Sequence, residues 1–171
     1  QHGVYLQFDG VSEEKNKHRG VGNLFDVKLK AIENLASVGI KVTLVTTIVN
    51  TINNDAIGEI VKFAAENIDK VQTIAFQPVS FTGRDEDVSD ADRKQQRYTL
   101  AGMTHDLKDQ LNDKLALEPL RDWFPLSSYS AFTSVMDMLQ GADAPWGWSS
   151  CNCHPNCGIF TLVVVNKKTN E

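Results

Sequence analysis

The stretch "IKVTLVTTIV", Ile40 to Val49, is β-branched almost throughout and carries a single charge at Lys41, the composition of a strand buried on both faces of a parallel sheet. Immediately before it, Gly39 is placed to stop a helix predicted over Leu24 to Val38, where Phe25, Val27, Leu29, Ile32, Leu35 and Ala36 recur at helical spacing. Further back, Val4, Leu6 and Phe8 alternate with Tyr5, Gln7 and Asp9 before Gly10, which reads as a short strand ending in polar residues. Downstream, Asn53 or Asn54 is placed to cap a helix whose buried stripe is Ile57, Ile60, Val61 and Ala64, ending near Asn67. "VQTIAFQPVSF", Val71 to Phe81, is the third strand. Strand, helix, strand, helix, strand with connections of this length implies parallel crossover units.

The expected fold is therefore α/β, an incomplete (β/α) barrel followed by a mainly helical C-terminal region. Three strands do not close such a barrel, which typically takes eight strands and about 250 residues, so more strands are expected upstream of Gln1. In barrels and open parallel sheets alike, ligands gather at the carboxyl ends of the strands. Here that edge holds Gln7, Asp9, Thr46, Thr47, Asn50, Gln77, Pro78 and Ser80. Ser89 or Asp90 is placed to cap a further helix running to about Leu111, with Tyr98, Met103 and Leu107 among its apolar positions. Another is predicted over Tyr129 to Gln140, closed by Gly141, before the apolar strand "IFTLVVV".

With 171 residues and 42% hydrophobic content the chain is long enough to bury a substantial core. Seventeen basic against twenty-two acidic residues, a net charge of -5 and no basic run argue against nucleic acid as a partner. No apolar stretch approaches the roughly 20 residues that span a bilayer, and the N-terminus lacks the pattern of a signal segment, so a cytoplasmic location is expected. Both ends read as cut from something longer.

All three cysteines, Cys151, Cys153 and Cys157, fall in "SSCNCHPNCGIF", among turn-forming residues. Such a loop suits ligation of a metal or an iron-sulfur cluster. Disulfide bonding is a rival, although an odd count leaves one thiol over, and so is a purely structural role. With His154 the thiols make a three-cysteine, one-histidine zinc set; because His154 adjoins Cys153, a ligand from outside the loop is favoured. His2, His18 and His105 are scattered and read as solvated or packed.

Several stretches in this order resemble the later half of a radical S-adenosylmethionine (SAM) enzyme core: "VYLQFDG", Arg19 with Gly20, "KLKAIENLASVGI", "VTLVTTIVNTINND", "AIGEIVKFAAE" and "IAFQPVSFTGR". "RDWFPLSSYSAF" and "CNCHPNCGIFT" extend the likeness over nearly the whole chain, closest to the group of archaeal tetraether lipid synthases and pterin methyltransferase-like proteins. The resemblance implies that residues 1–84 are the second half of the partial barrel and residues 85–171 a C-terminal extension carrying the Cys-rich loop. It also implies SAM and a 4Fe-4S cluster as cofactors, with an auxiliary 4Fe-4S cluster or zinc at Cys151, Cys153 and Cys157. The intact enzyme would use a 5'-deoxyadenosyl radical to modify an unactivated carbon of a lipid or pterin. The family's cluster motif, CxxxCxxC, is not in this sequence, so the chain by itself is expected to be inactive.

By the same resemblance Gln7 and Asp9 would meet the ribose or amino acid part of SAM, and Arg19 its carboxylate, a match of guanidinium to carboxylate. Thr47, Asn50, Gln77 and Pro78 would line the adenine side. Arg84, Arg121 and Trp123 are candidates for substrate contact, against surface solvation for the arginines and core packing for Trp123. Two other readings stand beside this one: a zinc-stabilised α/β binding module without catalysis, and half of an ordinary TIM-barrel enzyme. An open barrel edge would also favour self-association through Val4 to Asp9.

Overall fold

The computed structural model describes residues 3–16, 20, 22–81, 87–112, 114–141 and 157–166. Strands β1 (Val4–Gln7), β2 (Val42–Ile48) and β3 (Val71–Pro78) form one parallel sheet in that order, with β1 and β3 at its edges. The chain is α/β, as its pattern of alternating elements implies. Val4 pairs with Val42 and Gln7 with Val45, while Thr47 pairs with Gln77. The β2–β3 register slips between Val42 and Thr43, and the slip leaves both Gln72 and Thr73 exposed.

Helix α1 (Glu13–Asn16) is a single turn after β1, and α2 (Leu24–Ser37) returns to the sheet. Asn23, at φ 59°, gives α2 no side-chain cap. Glu13 serves instead: its carboxylate accepts from the backbone N–H groups of Leu24 (3.2 Å) and Phe25 (2.5 Å), two of the donors a helix start leaves open. Gly39, at φ 74°, ends α2 with its N–H on the Ala36 carbonyl. After β2 a 3-10 turn (Asn54–Ala56) leads into α3 (Ile57–Glu66).

Leu6 and Phe8, Val42 and Leu44, and Ile74 and Phe76 pack with Ile32 of α2 and Ile60 and Ala64 of α3 in one cluster. Both helices thus cover the same side of the sheet. Tyr5, Gln7, Val45, Thr47, Ala75 and Gln77 alternate onto the other side. There β2 departs from the expectation of burial on both faces toward its carboxyl end, where Val45 and Thr47 are only half-buried, whereas Thr43 on the same face is buried at 6%; Tyr5 of the neighbouring strand is 76% exposed.

The helix stripe of α2 also differs from expectation. Val27 is 57% exposed, whereas Lys28 is buried at 6% and occupies the inner face with Phe25, Ile32 and Leu35. The single helix expected to reach Leu111 is two, α4 (Asp90–Gln96) and α5 (Leu100–Leu111). Arg97 and Thr99 are extended, and the Thr99 hydroxyl accepts from the Gly102 N–H to start the second helix, as Ser89 does from Asp92 for the first.

By its packing the chain divides into a unit of residues 1–116 with 165–171, and a second of 117–164. In the first unit, Gln110 of α5 accepts from the Gly58 N–H and donates to the Asn54 carbonyl, both at 2.8 Å. Beside it the Tyr98 hydroxyl donates to Asp106 Oδ2 at 2.6 Å, which also accepts from Asn54 Nδ2 at 3.0 Å. Burial first, then Asp106, push the Tyr98 phenol well above its ordinary value of 10.0. Its stabilising contribution is therefore complete below pH 10 and is lost as pH rises beyond it. Tyr98→Phe removes a bond to a charged group, and a loss of about 1.5–3 kcal/mol in urea unfolding is expected. A loss below about 0.5 kcal/mol would show that Asn54 alone satisfies Asp106.

In the second unit, β4 (Phe124–Pro125) pairs antiparallel with β5 (Ile159–Phe160), and α6 (Ser128–Gln140) ends at Gly141. The terminal strand is shorter than "IFTLVVV" suggests: among the described residues only Ile159 and Phe160 of this run have strand partners, and Leu162 and Val164 are 82% and 90% exposed. No helix among the described residues is long and apolar enough to cross a membrane.

Candidate functional site

At the carboxyl end of the sheet three polar side chains share the face that α2 and α3 leave uncovered. Gln7 ends β1, and Thr47 and Gln77 stand opposite each other on β2 and β3. Neighbouring strands lie about 4.8 Å apart, so Thr47 and Gln77 are within reach of one small group. Gln77 is exposed, and Gln7 and Thr47 are half-buried. Amides and a hydroxyl in this arrangement offer neutral donors and acceptors, suited to hydroxyl and amino groups of a ligand.

Behind Gln7 lies a buried polar network. Gln7 Nε2 donates to Asp9 Oδ1 at 2.6 Å, and Asp9 Oδ2 lies 4.0 Å from Lys28 Nζ. Lys28 Nζ in turn donates to Asn16 Oδ1 at 2.7 Å. Asn16 Nδ2 holds the intervening turn through the carbonyls of Gly10 (3.3 Å) and Ser12 (2.7 Å). Asp9, Asn16 and Lys28 are exposed by only 1%, 0% and 6%. Beside them the Thr46 hydroxyl donates to the Phe8 carbonyl at 2.5 Å, tying β2 to the end of β1.

The loop after β2 is equally built. Thr51 adopts φ 67°, a left-handed conformation unfavourable to a β-branched residue, and its N–H is held by Asn54 Oδ1 at 2.8 Å. Asn53, 4% exposed, accepts from the Val49 N–H and donates to the Thr47 carbonyl. Asn50 spends its backbone N–H on the Gln96 carbonyl and its amide N–H on that of Gln95, so the end of α4 is anchored at this edge.

Of the residues singled out in the sequence, Gln7, Thr47 and Gln77 thus come together on one face. Asp9 lies beneath Gln7, Asn50 is committed to α4, and Pro78 pairs with Ile48 at the strand end. Lys28 and Asn16 were not singled out. The signal for Lys28 is its position three after Phe25 and four before Ile32, inside an apolar stripe.

Arg19, Arg84, Cys151, Cys153 and His154 lie outside the described residues. Cys157 is exposed with a free thiol, and among the described residues no three His, Cys, Asp or Glu side chains gather as metal ligands. In the second unit Arg121 grips Asp122 through Nε (2.6 Å) and a terminal nitrogen (2.8 Å). That guanidinium, with the Glu118 N–H, holds the Asp122 carboxyl down at about 2. Asp122 borders a cleft of ≈ 250 Å³ lined also by Leu117, Phe124, Phe160, Thr161 and Leu162. Trp123 is half-buried, and its indole N–H meets no acceptor among the described residues.

No family model matches the chain. Over 165 residues, 96% of its length, it is 34% identical to a protein of Methanocaldococcus jannaschii named 7,8-dihydro-6-hydroxymethylpterin dimethyltransferase. The chain spans 31% of that relative's length.

Proposed function

We propose that this chain is the later part of the SAM-binding barrel, with its C-terminal extension, of a radical SAM enzyme that methylates a reduced pterin. The carrying observation is the 34% identity that runs over 96% of the chain to a protein named as a pterin dimethyltransferase. Of the two substrate classes the sequence resemblance left open, that name favours the pterin over a lipid.

The one-sided sheet supports the barrel reading. In a (β/α) barrel the helices lie outside and the uncovered strand face lines the interior, where Gln7, Thr47 and Gln77 would meet ligand at the carboxyl ends of the strands. In this reading residues 1–84 belong to the core and residues 85–171 to the extension. The donor set fits SAM: amides and a hydroxyl on an open face match its ribose hydroxyls and adenine amino group. Bound SAM supplies the carbon-modifying chemistry, and these side chains bind and orient it. The donor set does not fit the radical-generating cluster, for which the sequence has no CxxxCxxC. Cys151, Cys153 and Cys157 would hold an auxiliary cluster or zinc, and Arg121 and Trp123 would approach the substrate.

The test is anaerobic reconstitution of the full-length protein with iron and sulfide, followed by an assay of methyl transfer from labelled SAM to a 7,8-dihydropterin. Label in the pterin, lost on omitting reductant, is the expected result. Bound zinc with no SAM binding would overturn the proposal in favour of a structural module.

A further inference from the structure

The buried side chains behind Gln7 are costly to place where they are. A lysine and an aspartate are taken out of water, and the desolvation penalty of such a pair often equals or exceeds its attraction. Apolar residues in the same space would stabilise the fold as well. One outcome of the arrangement is the orientation of the Gln7 amide.

An ionised carboxylate only accepts hydrogen bonds, so Asp9 selects the nitrogen of the Gln7 amide, and Nε2 donates to it at 2.6 Å. The Gln7 amide oxygen then accepts no hydrogen bond among the described residues. Lys28 Nζ lies 4.0 Å from the other Asp9 oxygen, with Asp9 at 1% exposure, and Asn16 locks Lys28 to the turn at Gly10 and Ser12. Asp9 is too enclosed to touch a ligand itself.

We infer that Asp9, Lys28 and Asn16 are positioning residues which present the Gln7 carbonyl oxygen, as a fixed acceptor, to a ligand O–H or N–H at the open face of the sheet. The inference rests on the proposed SAM site. The ligand group it selects is a donor, such as a ribose hydroxyl or an ammonium, and Gln7 is the contact residue.

The experiment measures SAM affinity by calorimetry in the full-length protein, with melting temperature beside it. Three variants are compared with the parent. Asp9→Asn/Lys28→Met removes both charges but keeps an acceptor for Gln7 Nε2. Asp9→Leu/Lys28→Met removes the charges and the acceptor together. Gln7→Leu leaves the buried pair in place. Asp9→Asn/Lys28→Met is expected to bind SAM within about threefold of the parent, and the other two to bind about tenfold or more weakly, the worth of one hydrogen bond. Equal affinity in the two double variants would overturn the inference, because a merely structural pair has no reason to distinguish them. Parental affinity in Gln7→Leu, with its melting temperature read alongside, would overturn it independently. A parent that binds no SAM sinks the proposed function itself and is read before any variant.

Discussion

Phe8→Ala lowers stability by about 3–5 kcal/mol, the cost of a large aromatic truncated in a packed core. Phe8 is fully buried, stacked on Phe63 with ring centroids 5.0 Å apart and tilted against Phe25 at 6.0 Å. It joins the strand to α2 and α3 at once, so truncation opens a cavity that neither helix can fill alone. Its backbone bonds, from its N–H to Val45 and from the Thr46 hydroxyl to its carbonyl, survive the substitution. The loss is therefore one of packing, read from the urea midpoint at unchanged slope. Val27→Ala is the control: at 57% exposure it is expected to cost no more than about 0.5 kcal/mol. Equal losses at the two positions would mean that the covered face of α2 is not the one described.

That comparison bears on what the sequence reveals. The β-branched run in β2, the alternation through Leu6 and Phe8, and Gly39 after α2 make the parallel α/β order legible, because each is a local consequence of backbone geometry. The inner face of α2 is not legible from hydrophobicity alone. Counting apolar residues brings in Val27 and leaves out Lys28, whereas the angular position relative to Phe25 and Ile32 brings Lys28 in. Its aliphatic stem tolerates the stripe and its ammonium finds Asn16, a partner that only the fold brings near.

The break between α4 and α5 was hidden for a different reason. No glycine or proline marks it; it depends on Thr99 serving as a cap rather than as a helix residue. Among ligand candidates, strand-end positions such as Gln7, Thr47 and Gln77 follow from topology. The commitment of Asn50 to α4 is a tertiary contact that no local pattern announces.

Lys28→Met is the other substitution with a large expected effect, and it separates packing from charge. Methionine keeps most of the stem volume, so little cavity forms. What remains is the Asp9 carboxylate at 1% exposure without the ammonium 4.0 Å away, and Asn16 Oδ1 without its 2.7 Å donor. Breaking one side of a buried pair in this way costs up to about 3–5 kcal/mol, part of it the weakened compensation of the Asp9 charge, whose other contacts stay in place. If that is the origin of the loss, adding Asp9→Asn restores most of it, and the two single losses exceed the loss in the double variant. Additive losses would show that Lys28 and Asp9 act on stability separately. A single-variant loss under about 1 kcal/mol would mean that Asp9 is compensated by groups other than Lys28. With the coupling established, the same pair that holds the strand end together is the pair through which the Gln7 amide is oriented.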